Sequence, residues 1–147
     1  MASITQIVGT RTSLTISGYN SLANGSYATS DAYNCTTDDP LDVIVEVNAS
    51  PGATTGSQQV VVFAVASLNG TDYQTGPVAA DEAVLNYVGS VPVVTDSAAQ
   101  RKMFSVAAAF GGVLPAYFKI ICKNDSGATL AASGNTLFTS TVIGNVA

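Results

Sequence analysis

Histidine and tryptophan are absent from this chain of 147 residues, cysteine occurs twice, and only 10% of residues are charged. Each shortage excludes something. Without histidine there is no side chain that titrates near neutrality unaided and no imidazole for a metal. Without tryptophan the usual leading ring of a sugar-stacking platform is missing. A charged fraction of one tenth, against roughly a quarter in ordinary soluble domains, means that something other than charge covers the surface, although 47% of residues are apolar. Serine, threonine, asparagine and glutamine supply part of that cover. The rest is most simply explained by apolar surface buried against another chain, which points to an assembly subunit.

The length fits one domain with a substantial core and no need of covalent staples. The expected division is an N-terminal arm or edge strand over 1–12 and a single domain over 13–147. The opening Met1-Ala2-Ser3-Ile4-Thr5-Gln6 lacks the basic stretch and apolar run of a secretion signal, so synthesis in a cytoplasm is expected. No apolar run is long enough for a membrane span. Sequons stand at Asn24, Asn34, Asn48, Asn69 and Asn124, and without a signal they read as turn chemistry. Cys35 and Cys122 are poor evidence for a bridge in a cytoplasmic chain. Cys122 runs in step with Phe118 and Ile120, as a small apolar core residue would. A net charge of −5 and a pI near 4.2 repel phosphate and argue against nucleic acid.

What the chain does have is short β-rich segments broken by glycine, asparagine, aspartate and proline. The pattern predicts an all-β fold, an antiparallel jelly-roll-like sandwich of about eight strands with extended termini. Leu41, Val43, Val45 and Val47 alternate with Asp42, Ile44 and Glu46, giving an apolar face and a mostly wet one. Val60 to Ala66 is apolar on both faces and must lie centrally, covered by core, loops or a neighbour. Asn69-Gly70 signals a hairpin, with Thr71 to Thr75 returning beside it. Further strands are expected at Leu14 to Ser17, Ala83 to Val88, Arg101 to Val106, Tyr117 to Lys123 and Thr136 to Ile143. Ser97-Ala98-Ala99-Gln100 matches a capping box, but Lys102 to Val106 reads as strand before helix, with room for a helical turn over Ala107 to Phe110. Met1 to Thr12 and Thr136 to Ala147 carry almost no charge and suit either addition to a neighbour's sheet or ordinary edge strands.

Candidate chemistry is thin, and no catalytic, cofactor-binding or metal-binding residue is assigned. Asp38-Asp39-Pro40-Leu41-Asp42 has the oxygen atoms for calcium but not the loop spacing, and solvation is the ordinary fate of such aspartates. Paired carboxylates for glycoside hydrolysis cannot be identified. Tyr27 and Tyr33, in the Gly/Ser/Thr-rich stretch Ala23 to Thr37, are candidates for exposed contacts, or else roof the end of the sandwich. Arg101-Lys102 suits an acidic partner. With Ile4, Ile7, Val8 and Arg11 of the arm, these make up the candidate partner-binding set.

The stretch Arg101-Lys102-Met103-Phe104-Ser105-Val106-Ala107-Ala108-Ala109-Phe110-Gly111-Gly112-Val113-Leu114-Pro115, with the strand and turn Tyr117 to Gly127, resembles small virion structural proteins of tailed bacteriophages. Asp39 to Val47 and the Val60 to Gly76 hairpin belong to the same resemblance, which covers most of 39–143. Within that group the chain looks most like capsid decoration, or cement, proteins. The resemblance implies a non-enzymatic protein on the capsid exterior that binds the major capsid protein, often as a trimer, without cofactor or small-molecule ligand. The alternative is a tail, neck or fibre-associated module binding a glycan or another virion protein.

Overall fold

The structure, a computed structural model, describes residues 4–52, 58–76, 79–93 and 98–146. Its strands are β1 (Ile4–Val8), β2 (Thr12–Leu14), β3 (Ile16–Ser17), β4 (Tyr27–Ser30), β5 (Tyr33–Asn34), β6 (Asp42–Ala49), β7 (Gln59–Ser67), β8 (Asn86–Pro92), β9 (Gln100–Ser105), β10 (Tyr117–Asp125) and β11 (Thr136–Val146). A 3-10 turn covers Ala79–Val84, and the one-turn helix α1 covers Val106–Ala109. The strands form two antiparallel sheets in a sandwich-like arrangement. In the first the order is β1-β11-β6-β9, with β2 also on β11; in the second it is β3-β4-β10-β7-β8, with β5 also on β10.

Alternation places the core. Val43, Val45, Val47 and Ala49 of β6 are completely buried, as are Val60, Val62 and Ala64 of β7 and Phe118, Ile120 and Cys122 of β10. Each of the larger of these side chains contributes roughly 1.5–3 kcal/mol on leaving water. The buried sequon residue Asn124 points the same way but is satisfied: its Nδ2 donates to the carbonyls of Leu22 and Ala128, both at 2.7 Å, and its Oδ1 accepts from the Ser126 amide at 3.0 Å.

The outward face of β7 is covered by the chain itself. Phe63 and Val65, with Ile121 of β10 and Leu85, form a second small core. Tyr73 and Tyr27 pack against it, so Tyr73 and Leu85, both from the chain between β7 and β8, roof the second sheet. Glu82 fastens that roof: its Oε2 accepts from Lys123 Nζ at 2.7 Å and from the Tyr27 hydroxyl.

Among the described residues there are eleven strands, not about eight. The chain changes sheets at Thr15, so Leu14 to Ser17 is two strands, one pairing with β11 and the other with β4. The stretch Ala23 to Thr37 is no loop throughout but holds β4 and β5, both recruited by β10. Beyond Asn69-Gly70 the return is a single bridge between Ser67 and Tyr73, because Asn69 folds the turn onto itself, its Oδ1 accepting from the Thr71 and Asp72 amides at 2.9 Å. β8 takes the neighbouring place on β7 instead. The first part of Ala83 to Val88 is 3-10 turn, and strand begins at Asn86. Strand does run through Lys102 to Ser105 before the helical turn, whose N-cap is Ser105. Ser97 of the capping-box reading, and Met1 to Ser3 and Ala147 at the termini, lie outside the described residues.

Candidate functional site

The two uncharged termini meet. β1 pairs antiparallel with the end of β11, from Ile4 opposite Val146 to Val8 opposite Val142. β6 reaches only as far as Asp42 opposite Val142, so residues 143–146 have β1 as their strand partner. The result is a two-stranded ribbon extending past the body of the first sheet. Thr5, Gln6, Ile7, Gly144 and Asn145 are exposed on it, and no residue of 1–10 carries a charged side chain. A lone two-stranded ribbon is marginal in water, and uncharged open edges are templates for further pairing.

Where the ribbon joins the sheet, the outward face carries a groove of about 330 Å³ lined by Val8, Ile44, Met103 and Phe138, with Arg11 and Glu46 at its polar part. Register explains the assembly: Phe138 lies opposite Glu46 and Ser140 opposite Ile44 on one side of β6, and Met103 opposite Glu46 on the other. Val8 and Met103 are 64% and 62% exposed, so the groove walls face solvent.

Glu46 is not on a wet face. Arg11 lies over the Phe138 ring, 3.2 Å from its centroid, and donates from Nη2 to Glu46 Oε1 at 2.7 Å and from Nε to Oε2 at 3.3 Å. Asn48 Nδ2 adds a bond of 2.9 Å to Oε1, and Arg101 Nε stands 3.4 Å from that oxygen while donating to Asn48 Oδ1 at 2.8 Å. The Arg11 hydrogen bond, then Asn48 and the positive charge of the two arginines, hold the Glu46 carboxyl below the usual carboxylate range against its burial. The same pair raises the Arg11 guanidinium.

Of the eight partner-binding candidates, Val8, Arg11 and Arg101 are thus brought together, with Ile7 exposed on the ribbon and Ile4 entering by its backbone opposite Val146. Lys102 points to the other side of β9, where Nζ donates to the Ser90 carbonyl at 3.2 Å. Tyr27 and Tyr33 lie elsewhere and are engaged internally: Tyr27 under the roof with Glu82, Tyr33 stacked on Phe118 with centroids 5.0 Å apart. Sequence reasoning missed Ile44, Met103 and Phe138. Leu41, read as core, is 62% exposed because β6 begins one residue later.

Asp42 is no free carboxylate. Its Oδ2 accepts from Ser105 Oγ at 2.5 Å and its Oδ1 from the amides of Ala107 and Val43, at 2.9 and 2.7 Å. Among the described residues, no three of His, Cys, Asp and Glu gather closely enough to hold a metal ion. Cys35 and Cys122 are both free and buried, and burial pushes the thiols up to about 11 and about 12. No described helix is long and apolar enough to cross a membrane.

Fold and surface together define a β-sandwich with one outer face roofed by its own chain and the other left as a groove beside an uncharged ribbon. Comparison with known protein families and with curated proteins finds no match.

Proposed function

We propose that this chain is a non-enzymatic structural protein of a phage virion that binds the outside of the capsid and reinforces the shell. The observation that carries the reading is the β1–β11 ribbon: an uncharged, exposed pair of strands whose edges can pair with a partner's main chain, next to an apolar groove that can accept its side chains. Contacts of this kind repeated around a shell act by avidity, so each can be weak. The acidic charge favours the exterior over the DNA side. The partner under this reading is the major capsid protein, and the bacteriophage resemblance of 39–143 is what directs the proposal to a virion. No catalytic step is part of it.

The test is attachment to particles. Deleting Met1 to Thr10 removes the ribbon but none of the pairs of β6 with β9 and β11 or of β10 with β7, so the sandwich is expected to fold and to lose its hold on the capsid. Complete particles are expected to keep their DNA at higher temperature than particles lacking the protein, with a copy number in the hundreds. Equal heat resistance, or labelling confined to the tail tip, would overturn the capsid reading and favour the fibre-associated one.

A further inference from the structure

Alternation puts three threonines where a sandwich normally buries apolar groups. Thr139 is opposite Val45, Thr141 opposite Val43, and Thr12 opposite Thr139. Residues paired across antiparallel strands share a face, and Val43 and Val45 are fully buried core. The threonines therefore stand on the core-facing side of the sheet, with Thr139 buried, Thr141 half-buried and Thr12, at the sheet's edge, exposed. At the edge of the first sheet, facing β5, they do not meet apolar packing. They line a cleft of about 230 Å³ together with Thr10, Tyr33 and Asp38.

The hydrogen-bonding capacity converging there is largely uncommitted. Among the described residues, Asp38 makes no ion pair, and neither its carboxylate nor the Tyr33 hydroxyl, Thr10 Oγ1 or Thr141 Oγ1 has a hydrogen-bond partner. The remaining two hydroxyls make only long bonds, Thr12 Oγ1 to the Thr10 carbonyl at 3.3 Å and Thr139 Oγ1 to the Thr12 carbonyl at 3.4 Å. Phe118 occupies one face of the Tyr33 ring, so Tyr33 offers the cleft its other face or its hydroxyl edge. Burial, then Cys35 and last Asp38 raise the Tyr33 phenol.

The donor set narrows the ligand. No basic side chain lines the cleft, so nothing there attracts an anion. One carboxylate among neutral hydroxyls falls short of the charged oxygen cage that a divalent cation requires. Hydroxyls that both donate and accept, a carboxylate that accepts, and an aromatic surface for C–H groups are what a sugar ring uses. We propose that this cleft between the first sheet and β5 is a subsite for a neutral polyol the size of a single pyranose, its hydroxyls on Asp38 and the threonines and its C–H face against Tyr33. The site is separate from the ribbon and groove and stands whether or not the capsid reading holds.

The probes are the methyl glycosides of glucose, galactose, mannose and N-acetylglucosamine, read by saturation-transfer NMR and by amide shifts on the full chain. At least one is expected to bind with a dissociation constant on the order of 1 mM, with shifts at Tyr33, Asp38 and Thr141. Asp38→Ala and Thr141→Val are each expected to weaken that binding by about tenfold or more. Thr141→Val keeps a β-branched strand residue and should leave the thermal midpoint nearly unchanged, so a loss of binding cannot be confused with a loss of fold. Tyr27→Phe, under the roof with Glu82 and outside the cleft, should leave binding untouched. The inference is overturned if no glycoside binds, if methylammonium binds and the glycosides do not, or if binding survives both cleft variants at full strength.

Discussion

Two tyrosines, Tyr19 fully buried and Tyr27 partly so, illustrate how the same side chain takes opposite signs in different settings. The Tyr19 ring is completely buried in the main core, and its hydroxyl, beside the Cys122 thiol, has no hydrogen-bond partner among the described residues; burial, and after it the neighbouring thiol, raises its phenol well above the ordinary value. The Tyr27 hydroxyl donates to a carboxylate. An unsatisfied buried hydroxyl costs about 1–3 kcal/mol, whereas a bond to a charged acceptor stabilises. Tyr19→Phe is therefore expected to leave stability unchanged or raise it by about 1 kcal/mol, and Tyr27→Phe to lower it by about the same. Urea unfolding of the two variants measures both, and a marked loss in Tyr19→Phe would mean that the hydroxyl is satisfied in solution. None of this was legible beforehand, since both residues read only as rings. Glu46 was likewise read as a solvated residue because alternation says which face a side chain takes, and not what lies over that face. Arg11, 35 residues away, is what closes over it.

At the scale of elements, the strands that the sequence marked plainly were those that alternate or are apolar throughout: β6, β7, β10 and β11. Their patterns reflect burial on one face or two, a property of the segment itself. β4 and β5 escaped because Tyr27–Ser30 and Tyr33–Asn34 are short and hold serine, threonine and asparagine, and pairing with β10 makes them strands. The roof over the second sheet was only half legible. Val60 to Ala66 demanded cover on both sides, but nothing local said that Leu85 and Tyr73 would supply it. The fastening of that roof predicts acid sensitivity. The Lys123 and Tyr27 hydrogen bonds hold the Glu82 carboxyl below its usual value. A group depressed in the folded state lends stability above its unfolded value, about 4.3 for glutamate, and that contribution is lost as pH falls through the folded value. Stability is expected to decline below about pH 5, with a shallower decline in Glu82→Gln and again in Glu46→Gln, whose carboxyl is depressed by Arg11. Urea midpoints across acid pH read this, and an unchanged slope in Glu82→Gln would place the roof's hold in its apolar contacts alone.

For the whole molecule, the covered outer face of the second sheet changes the case for self-association. The strand apolar on both faces no longer requires a neighbour, because its own chain buries it. What still calls for a partner is the first sheet, with Val8 and Met103 exposed at the groove and Ile7 on the ribbon. A ribbon that adds to a groove elsewhere on the next copy makes a head-to-tail contact, and such contacts close into rings when the rotation allows. Under the capsid proposal a trimer is the expected closed form, each ribbon meeting the next copy along one of its two open edges and leaving the other for the shell. Sedimentation at micromolar concentration should show it for the intact chain. Val8→Asp combined with Met103→Asp puts charge on exposed apolar walls; it should yield a folded monomer that melts cooperatively, because neither residue is part of either core cluster, at a temperature lowered only by the loss of assembly. In that monomer, the amides of β1 and of residues 143–146 should exchange with solvent faster than in the assembly, while those of β6, β7 and β10 keep their protection. An intact chain that sediments as a monomer both free and after release from particles would end the case for a ring and leave the groove to the capsid alone.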